Sequence, residues 1–259
     1  MNLVLLMAMI DDKYKDEETE RLETIWGEGF LSPGGPAEVS RILGSHSIAG
    51  SDVLDIGSGT GGVDIVLVRE HDAGSVLGID VEKKLVDLAN HYLINHDLED
   101  RIKYQLVEPG PLPFADGSFD AVFSKDAIIH VPDKSAIYSE ALRVLRPDGR
   151  LFVSDWLRGE GDEFDNTVEN FIEASGHEFT MVSLKEIGGM LERLGFVDID
   201  LDDRRQWYLK EATAELEKMR GPLQTQMLEE IDFWEIMVSA LNEGAIMPGH
   251  IRAMKPAIV

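Results

Sequence analysis

The chain has no cysteine among its 259 residues, so disulfides, thiolate metal sites and thiol nucleophiles are all excluded. Bases are scarce: 24 Lys and Arg stand against 49 Asp and Glu, a formal charge of −25. That balance repels nucleic-acid phosphates and anionic headgroups, so neither nucleic acid nor membrane is an expected partner. The acids are scattered, which reads as a solvated surface first and as attraction of a cationic substrate second. Long apolar runs are missing too. Met1 to Ile10 is apolar but too short to span a bilayer, and it lacks the basic start and cleavage site of a signal peptide. A cytoplasmic location is expected. His46, His71, His91, His96 and His250 have no partners at ligand spacing, so no metal is expected. There are no repeats and no low-complexity tracts.

What is present in strength is Val53-Leu54-Asp55-Ile56-Gly57-Ser58-Gly59-Thr60-Gly61-Gly62, an apolar run ending in an acid and then glycines. The pattern predicts a strand, a tight turn and a helix start, with the turn open enough for a ligand to reach the main chain. Gly57, Gly59 and Gly62 also satisfy the G-x-G-x-x-G spacing by which dinucleotide folds hold a pyrophosphate at a helix N-terminus. Asp55 argues for another ligand, because a carboxylate two residues ahead of the first glycine suits a cation. S-adenosylmethionine (SAM), with a sulfonium, an α-ammonium and no phosphate, fits better than NAD. Both stay open on this stretch alone.

Ahead of it, the pattern predicts an amphipathic helix from Asp16 to Trp26, a lid-like loop Gly27-Glu28-Gly29-Phe30-Leu31-Ser32-Pro33-Gly34-Gly35, and a helix from Pro36 to Leu43. Behind it, helix Gly61 to Arg69, strand Ser75 to Asp80, helix Lys83 to Asn95 and strand Ile102 to Val107 alternate as in a parallel sheet with helices on both faces. Strand Phe119 to Ser124, helix Lys134 to Leu145, a turn at Arg146-Pro147-Asp148-Gly149 and strand Arg150 to Asp155 continue the alternation. A looser acidic segment with one helix then covers the site. Ser183 caps a helix that stops at Gly195, and Phe196 to Leu201 is a strand. Two helices, Arg204 to Arg220 and Leu223 to Leu241, precede a last strand that Pro256 demotes to an edge.

Strand ends carry the candidate ligand groups. Asp80 lies 23 positions after Gly57, about the offset at which an acid meets ribose hydroxyls, which NAD and SAM share. Glu108 ends the third strand, where an acceptor can take an adenine amino group. Polar residues break the apolar strand end at Lys125-Asp126-Ala127-Ile128-Ile129-His130. In open parallel sheets that edge faces the ligand crevice, so Asp126 and His130 are aimed at it.

Asp55-Ile56-Gly57-Ser58-Gly59, Asp80, Glu108 and Arg146-Pro147-Asp148-Gly149, in that order, resemble the SAM-dependent methyltransferases over about residues 50 to 200. The resemblance implies SAM as cofactor, S-adenosylhomocysteine (SAH) as product, and an α/β fold with a Rossmann-like, seven-stranded, mostly parallel sheet and a helical cap. The expected parts are N-terminal lid helices over 1–50, a SAM-binding core over 51–203 with a cap insertion at about 156–180, and C-terminal helices with the edge strand over 204–259. A narrower resemblance, carried by the lid and by Lys125 to His130, is to the phosphoethanolamine N-methyltransferases. It implies that Leu31, Ser32, Asp55, Gly57, Gly59, Asp80, Val81, Glu108, Pro109 and Lys125 contact SAM. It also implies a dyad of Tyr14 and His130 at the acceptor nitrogen, with Asp126 facing the substrate.

The sequence departs from that family in places. Pro109 has no N–H to offer an adenine ring where the family donates one, and Glu108 replaces aspartate. Trp156, His177 and Phe179 stand where the family grips phosphate with tyrosine, arginine and tyrosine, and Glu235-Ile236-Met237-Val238-Ser239-Ala240 replaces a basic run. A buried dianion without those donors would cost roughly several kcal/mol. The expected acceptor is therefore a small amine without phosphate, of the methylated ethanolamine, sarcosine or dimethylglycine type. Trp156, His177, Phe179, Arg204 and Trp207 are the candidate substrate contacts: aromatic faces for a methylated ammonium, and Arg204 for a carboxylate. An amine must lose its proton before it accepts a methyl group, and His130 has the ordinary pKa of such a base. Two alternatives stand beside this: transfer to sulfur or carbon of another small metabolite, and a SAM-binding subunit without catalysis. A monomer or homodimer is expected.

Overall fold

A computed structural model describes residues 19, 22–23, 26–220 and 228–257; Tyr14 lies outside these described residues. Of the expected first helix, Thr19, Leu22, Glu23 and Trp26 are helical. The strands are β1 (Asp52–Ile56), β2 (Ser75–Asp80), β3 (Ile102–Leu106), β4 (Phe119–Lys125), β5 (Leu145–Asp155), β6 (Val197–Asp203) and β7 (Gly249–Met254). The helices are α1 (Gly35–Leu43), α2 (Gly62–Arg69), α3 (Lys83–Ile94), α4 (Lys134–Val144), α5 (Asp165–Ser175), α6 (Leu184–Leu194), α7 (Arg205–Met219) and α8 (Leu228–Glu243).

Apolar alternation builds one sheet in the order β3-β2-β1-β4-β5-β7-β6, parallel from β3 through β5. Successive side chains of β1 point to opposite faces. Leu54 and Ile56 join a core with α4 and α6, whereas Val53 joins the opposite core with α1 and α2. Asp55 follows Val53 by the same alternation, so its carboxyl points to the α2 side. Phe123 and Phe152 are paired neighbours in β4 and β5, both buried in the second core. Each such ring contributes about 1.5–3 kcal/mol by leaving water. At α6 the Ser183 hydroxyl accepts from Glu186 N while the Glu186 carboxylate accepts from Ser183 N, a reciprocal cap that fixes the helix start.

The last strand is not at an edge. β7 lies between β5 and β6 and is antiparallel to both. Pro256 falls beyond the strand, which ends at Met254, so its missing N–H costs no ladder bond. The turn at Arg146 to Gly149 also sits differently, inside β5. Phe119 pairs with Leu145 and Ala121 with Arg150, so the segment between bulges out, with Asp148 at φ +63. Backbone bonds from Asp148 N to Lys255 O and from Lys255 N to Gly149 O tie the bulge to the chain after β7. The cap has its own core, in which α5, α7 and α8 bury Phe171, Tyr208, Leu216, Trp234 and Leu241 together. Among the described residues no helix is long and apolar enough to cross a membrane.

Candidate active site

Missing side chains let the loops meet at the centre of the site. Gly57 has φ +77, and a Cβ there would lie 2.2 Å from the Cβ of Ala127, so the turns after β1 and β4 touch only because residue 57 is glycine. The lid docks on the same turn. Gly62 N donates to Gly29 O at 3.0 Å, and a Cβ on Gly29 would meet the Gly62 Cα at 2.7 Å. Leu31 Cδ1 comes to 3.5 Å from the place a Gly59 Cβ would take, and Ser32 Oγ accepts from Lys125 Nζ.

Lys125 and Asp126 finish β4 with side chains only 3% and 4% exposed. Lys125 Nζ donates to Asp126 Oδ2 at 2.8 Å, and Ser154 Oγ donates to Asp126 Oδ1 at 3.0 Å. Both oxygens of Asp126 are thus engaged by protein donors, and its left-handed backbone (φ +55) is held by Asp126 N donating to Ser154 O. Asp80 ends β2 and accepts from Gly59 N at 3.0 Å and from Glu82 N at 2.9 Å. Val81 is 48% exposed beside it, and Glu108 and Pro109 are exposed just past β3. These groups lie at the carboxyl ends of adjacent parallel strands, where open sheets hold ligands.

Asp55 is buried. Burial pushes its carboxyl up to about 7; the charge of Asp80 adds to this, while a hydrogen bond from Asp64 and the charge of Lys125 oppose it. Among the described residues, Asp55 Oδ1, Ser58 Oγ and Thr60 Oγ1 are buried without a donor or acceptor partner around the glycine turn. Orphaned polar atoms lining a glycine cradle call for a ligand. The cradle is acid-rimmed and its neighbouring cation, Lys125, is already paired, so it suits a cationic nucleoside better than a pyrophosphate.

His130 closes a 3-10 turn, Ile128–His130. Asp155 Oδ1 accepts from Ile129 N at 3.1 Å and from Trp156 N at 3.0 Å, and Lys134 Nζ donates to Ile128 O. Burial pushes Asp155 up to about 8 and Lys134 down to about 8, with their mutual attraction opposing each shift. The His130 ring lies 5.1 Å from Phe179 and 6.0 Å from His177. Ring contacts continue through Phe179–Phe171 at 6.2 Å, Phe171–Trp156 at 6.0 Å and Trp156–Tyr208 at 5.2 Å. The structure therefore brings His130, Trp156, His177 and Phe179 together.

Trp207 extends the same chain of rings, 4.8 Å from Tyr208, and with Arg204 it also lies against α1. Arg204 Nε is 3.6 Å from the Glu38 carboxylate, and Arg204 and Arg41 lie 5.4 Å and 5.1 Å from the Trp207 ring centroid. Sequence reasoning missed Asp64, Lys134, Ser154, Asp155 and Phe171. For Asp155 a signal was available, an acid closing the apolar run Leu151-Phe152-Val153; for Asp64 it was a lone acid at the start of the apolar helix Val63 to Val68.

A methyltransferase-domain family model matches residues 54–153. Among curated relatives, phosphoethanolamine N-methyltransferase 1 of Triticum aestivum is 30% identical over 205 residues, 79% of this chain and 40% of that protein. The 27-O-demethylrifamycin SV methyltransferase of Amycolatopsis mediterranei is 30% identical over 232 residues and covers 84% of both chains. Among solved structures, Haemonchus contortus phosphoethanolamine N-methyltransferase 2, in complex with phosphomonomethylethanolamine and SAH, superposes with a TM-score of 0.81 at 23% identity. That likeness covers 95% of this chain and 59% of the other. The chain belongs to the class I SAM-dependent methyltransferases, enzymes that take SAM as methyl donor. Within that class its sequence stands near the phosphoethanolamine N-methyltransferases, although it spans only about two fifths of the length of the plant proteins it matches.

Proposed function

We propose that this enzyme methylates the nitrogen of a small amine that carries no phosphate. The observation that carries the reading is the belt of His130, Phe179, Phe171 and Trp156, in which no Lys or Arg lies over the Phe179, Phe171 or Trp156 ring among the described residues. Aromatic faces hold a methylated ammonium at about 0.5–2 kcal/mol each. The charge of −25 attracts cations to the protein as a whole. The Phe179, Phe171 and Trp156 rings offer a phosphate no cation. The N-methyltransferase names of the wheat and Haemonchus proteins support nitrogen as the acceptor atom.

SAM supplies the methyl group on its sulfonium. Asp55 would take the α-ammonium, Asp80 the ribose hydroxyls and Glu108 the adenine amino group, with Val81 and Pro109 flanking the ring. Gly57 and Gly59 let the ligand approach the backbone, and Leu31 and Ser32 cover it. Lys125 anchors Ser32, and Asp126 anchors Lys125. His130, held by its turn, takes the proton of the acceptor so that the lone pair is free. Tyr14 is the proposed partner of His130.

A second reading is methylation of a hydroxyl on a larger metabolite, with His130 as the same base. It is favoured by the Amycolatopsis relative, which this chain matches over most of both lengths. An SAH-release assay over phosphorylated and free ethanolamines, glycine, sarcosine, dimethylglycine, thioethers and phenols tests both. Phosphoethanolamine as the best acceptor would overturn the first reading; turnover of phenols alone would install the second.

A further inference from the structure

Asp64, on α2, has no part in the reading above. It is fully buried, and among the described residues the groups that reach its carboxyl are Asp55 and the Tyr104 hydroxyl; Asp55 Oδ1 meets no protein donor. Asp64 stands in the first turn of α2, and its carboxyl is hydrogen-bonded with that of Asp55. The other titratable groups that act on this pair are Asp80 from β2, Tyr104 from β3 and Lys125 from β4. Two carboxylates in dry contact do not both ionise, so the pair keeps a proton. Burial and the charge of Asp55 push Asp64 well above the ordinary carboxylate range. Asp55 rises only to about 7, because the bond from Asp64 and the charge of Lys125 favour its ionised form. Asp64 is thus the donor and Asp55 the acceptor. The Tyr104 hydroxyl, which donates to Gly61 O at 3.2 Å, ties this corner to the glycine turn.

We propose that Asp64 is a positioning residue for the cofactor site: as the neutral acid it donates a hydrogen bond to Asp55, and a ligand ammonium arriving at Asp55 expels the second proton of the pair to solvent. Below neutrality the free protein holds both acids protonated. The bound form holds Asp55 as carboxylate, Asp64 as acid and the ligand as ammonium, and one proton leaves. The inference rests on SAM binding at Asp55.

The sign follows from linkage. A bound cation lowers the pKa of Asp55, so affinity rises with pH until about 7 and then levels off. With SAH as the probe, the dissociation constant should weaken about eightfold from pH 7.5 to pH 6.0. Calorimetry in buffers of different ionisation enthalpy should show close to one proton released at pH 6.0 and about a quarter of one at pH 7.5. Asp64→Asn keeps an N–H donor and should preserve both results. Asp64→Leu removes the donor, moves the midpoint to higher pH and weakens SAH at pH 7.5 by about tenfold or more, with circular dichroism checking that the variant folds. Failure of the wild-type protein to bind SAH at all would sink the cofactor reading. Tight binding without pH dependence or proton release would sink only the role of Asp64, and so would an Asn variant as weak as a folded Leu variant.

Discussion

Replacing Glu38 by leucine removes one buried tie between α1, the helix behind the lid, and β7, while Arg252 of β7 still donates to Ile42 O and Arg41 O. The Glu38 carboxylate is fully buried, with Oε1 2.7 Å from His250 Nε2 and Oε2 accepting from Arg41 NH1 at 2.9 Å; Arg204 Nε stands 3.6 Å away. Burial alone would raise its pKa, but the bonds from His250 and Arg41 prevail and hold it below the ordinary carboxylate value. Losing one partner of such a buried pair costs about 3–5 kcal/mol, because the group left behind stays out of water. Arg41 is 42% exposed and adds little to that figure. In a chain of this size each kcal/mol lowers Tm by about 2–4 °C, so a fall of roughly 6–20 °C is expected. Glu38→Gln keeps an acceptor and should lose only about 1–2 kcal/mol. The double variant Glu38→Leu/His250→Phe leaves no orphaned partner on β7 and should recover part of the loss. Urea unfolding followed by circular dichroism at pH 7.5 measures each difference. The folded pKa is depressed, so the contribution is present above the unfolded value near about 4.3 and is lost as pH falls through the folded one; the penalty of the leucine variant must shrink below pH 4. A leucine variant within about 1 kcal/mol of wild type at pH 7.5 would refute the reasoning.

His130→Ala should lower turnover of an amine or hydroxyl acceptor about 10²–10⁴-fold while SAH affinity is unchanged, as read by steady-state kinetics and calorimetry. Near-full activity would point instead to a thioether, which has no proton to lose. Gly57→Ala forces a side chain 2.2 Å from Ala127 Cβ at φ +77, and SAH affinity should fall more than about tenfold. Adding Ala127→Gly should restore part of it, because the clash goes while the backbone strain stays; no recovery would place the defect elsewhere.

The glycine turn, the strand-end acids and the βα alternation were legible because each is local: an apolar run, an acid and a glycine lie within ten residues of one another. β7 was misread because proline was weighed by proximity to a strand rather than by register, and because nothing in the order of elements shows a strand inserting between β5 and β6. Helix acids were missed for another reason. Glu38 would by default face solvent on an amphipathic helix, and its partner, His250, lies 212 residues away. The ring belt was half visible: Trp156 and Phe179 follow from the family likeness, whereas Phe171 joins them only through the packing of α5 against the other cap helices. Trp207 reaches the belt only through Tyr208, with Arg204 and Arg41 lying over its ring on the α1 side.

The position of β7 sets an order of assembly. Among the described residues β6 has no hydrogen-bonded neighbour except β7, so although it precedes β7 in the chain it cannot join the sheet until 249–254 have been made. Until then β5 also shows an open edge, a template for pairing with other chains. A nascent chain arrested after α8 would therefore expose that edge, while a peptide spanning 249–254 supplied in trans would fit the vacant slot. The segment acts as the closing wedge of the sheet. Tags or cuts within it should trade folding yield for aggregation even though the glycine cradle, on the strands at the other side, is already formed.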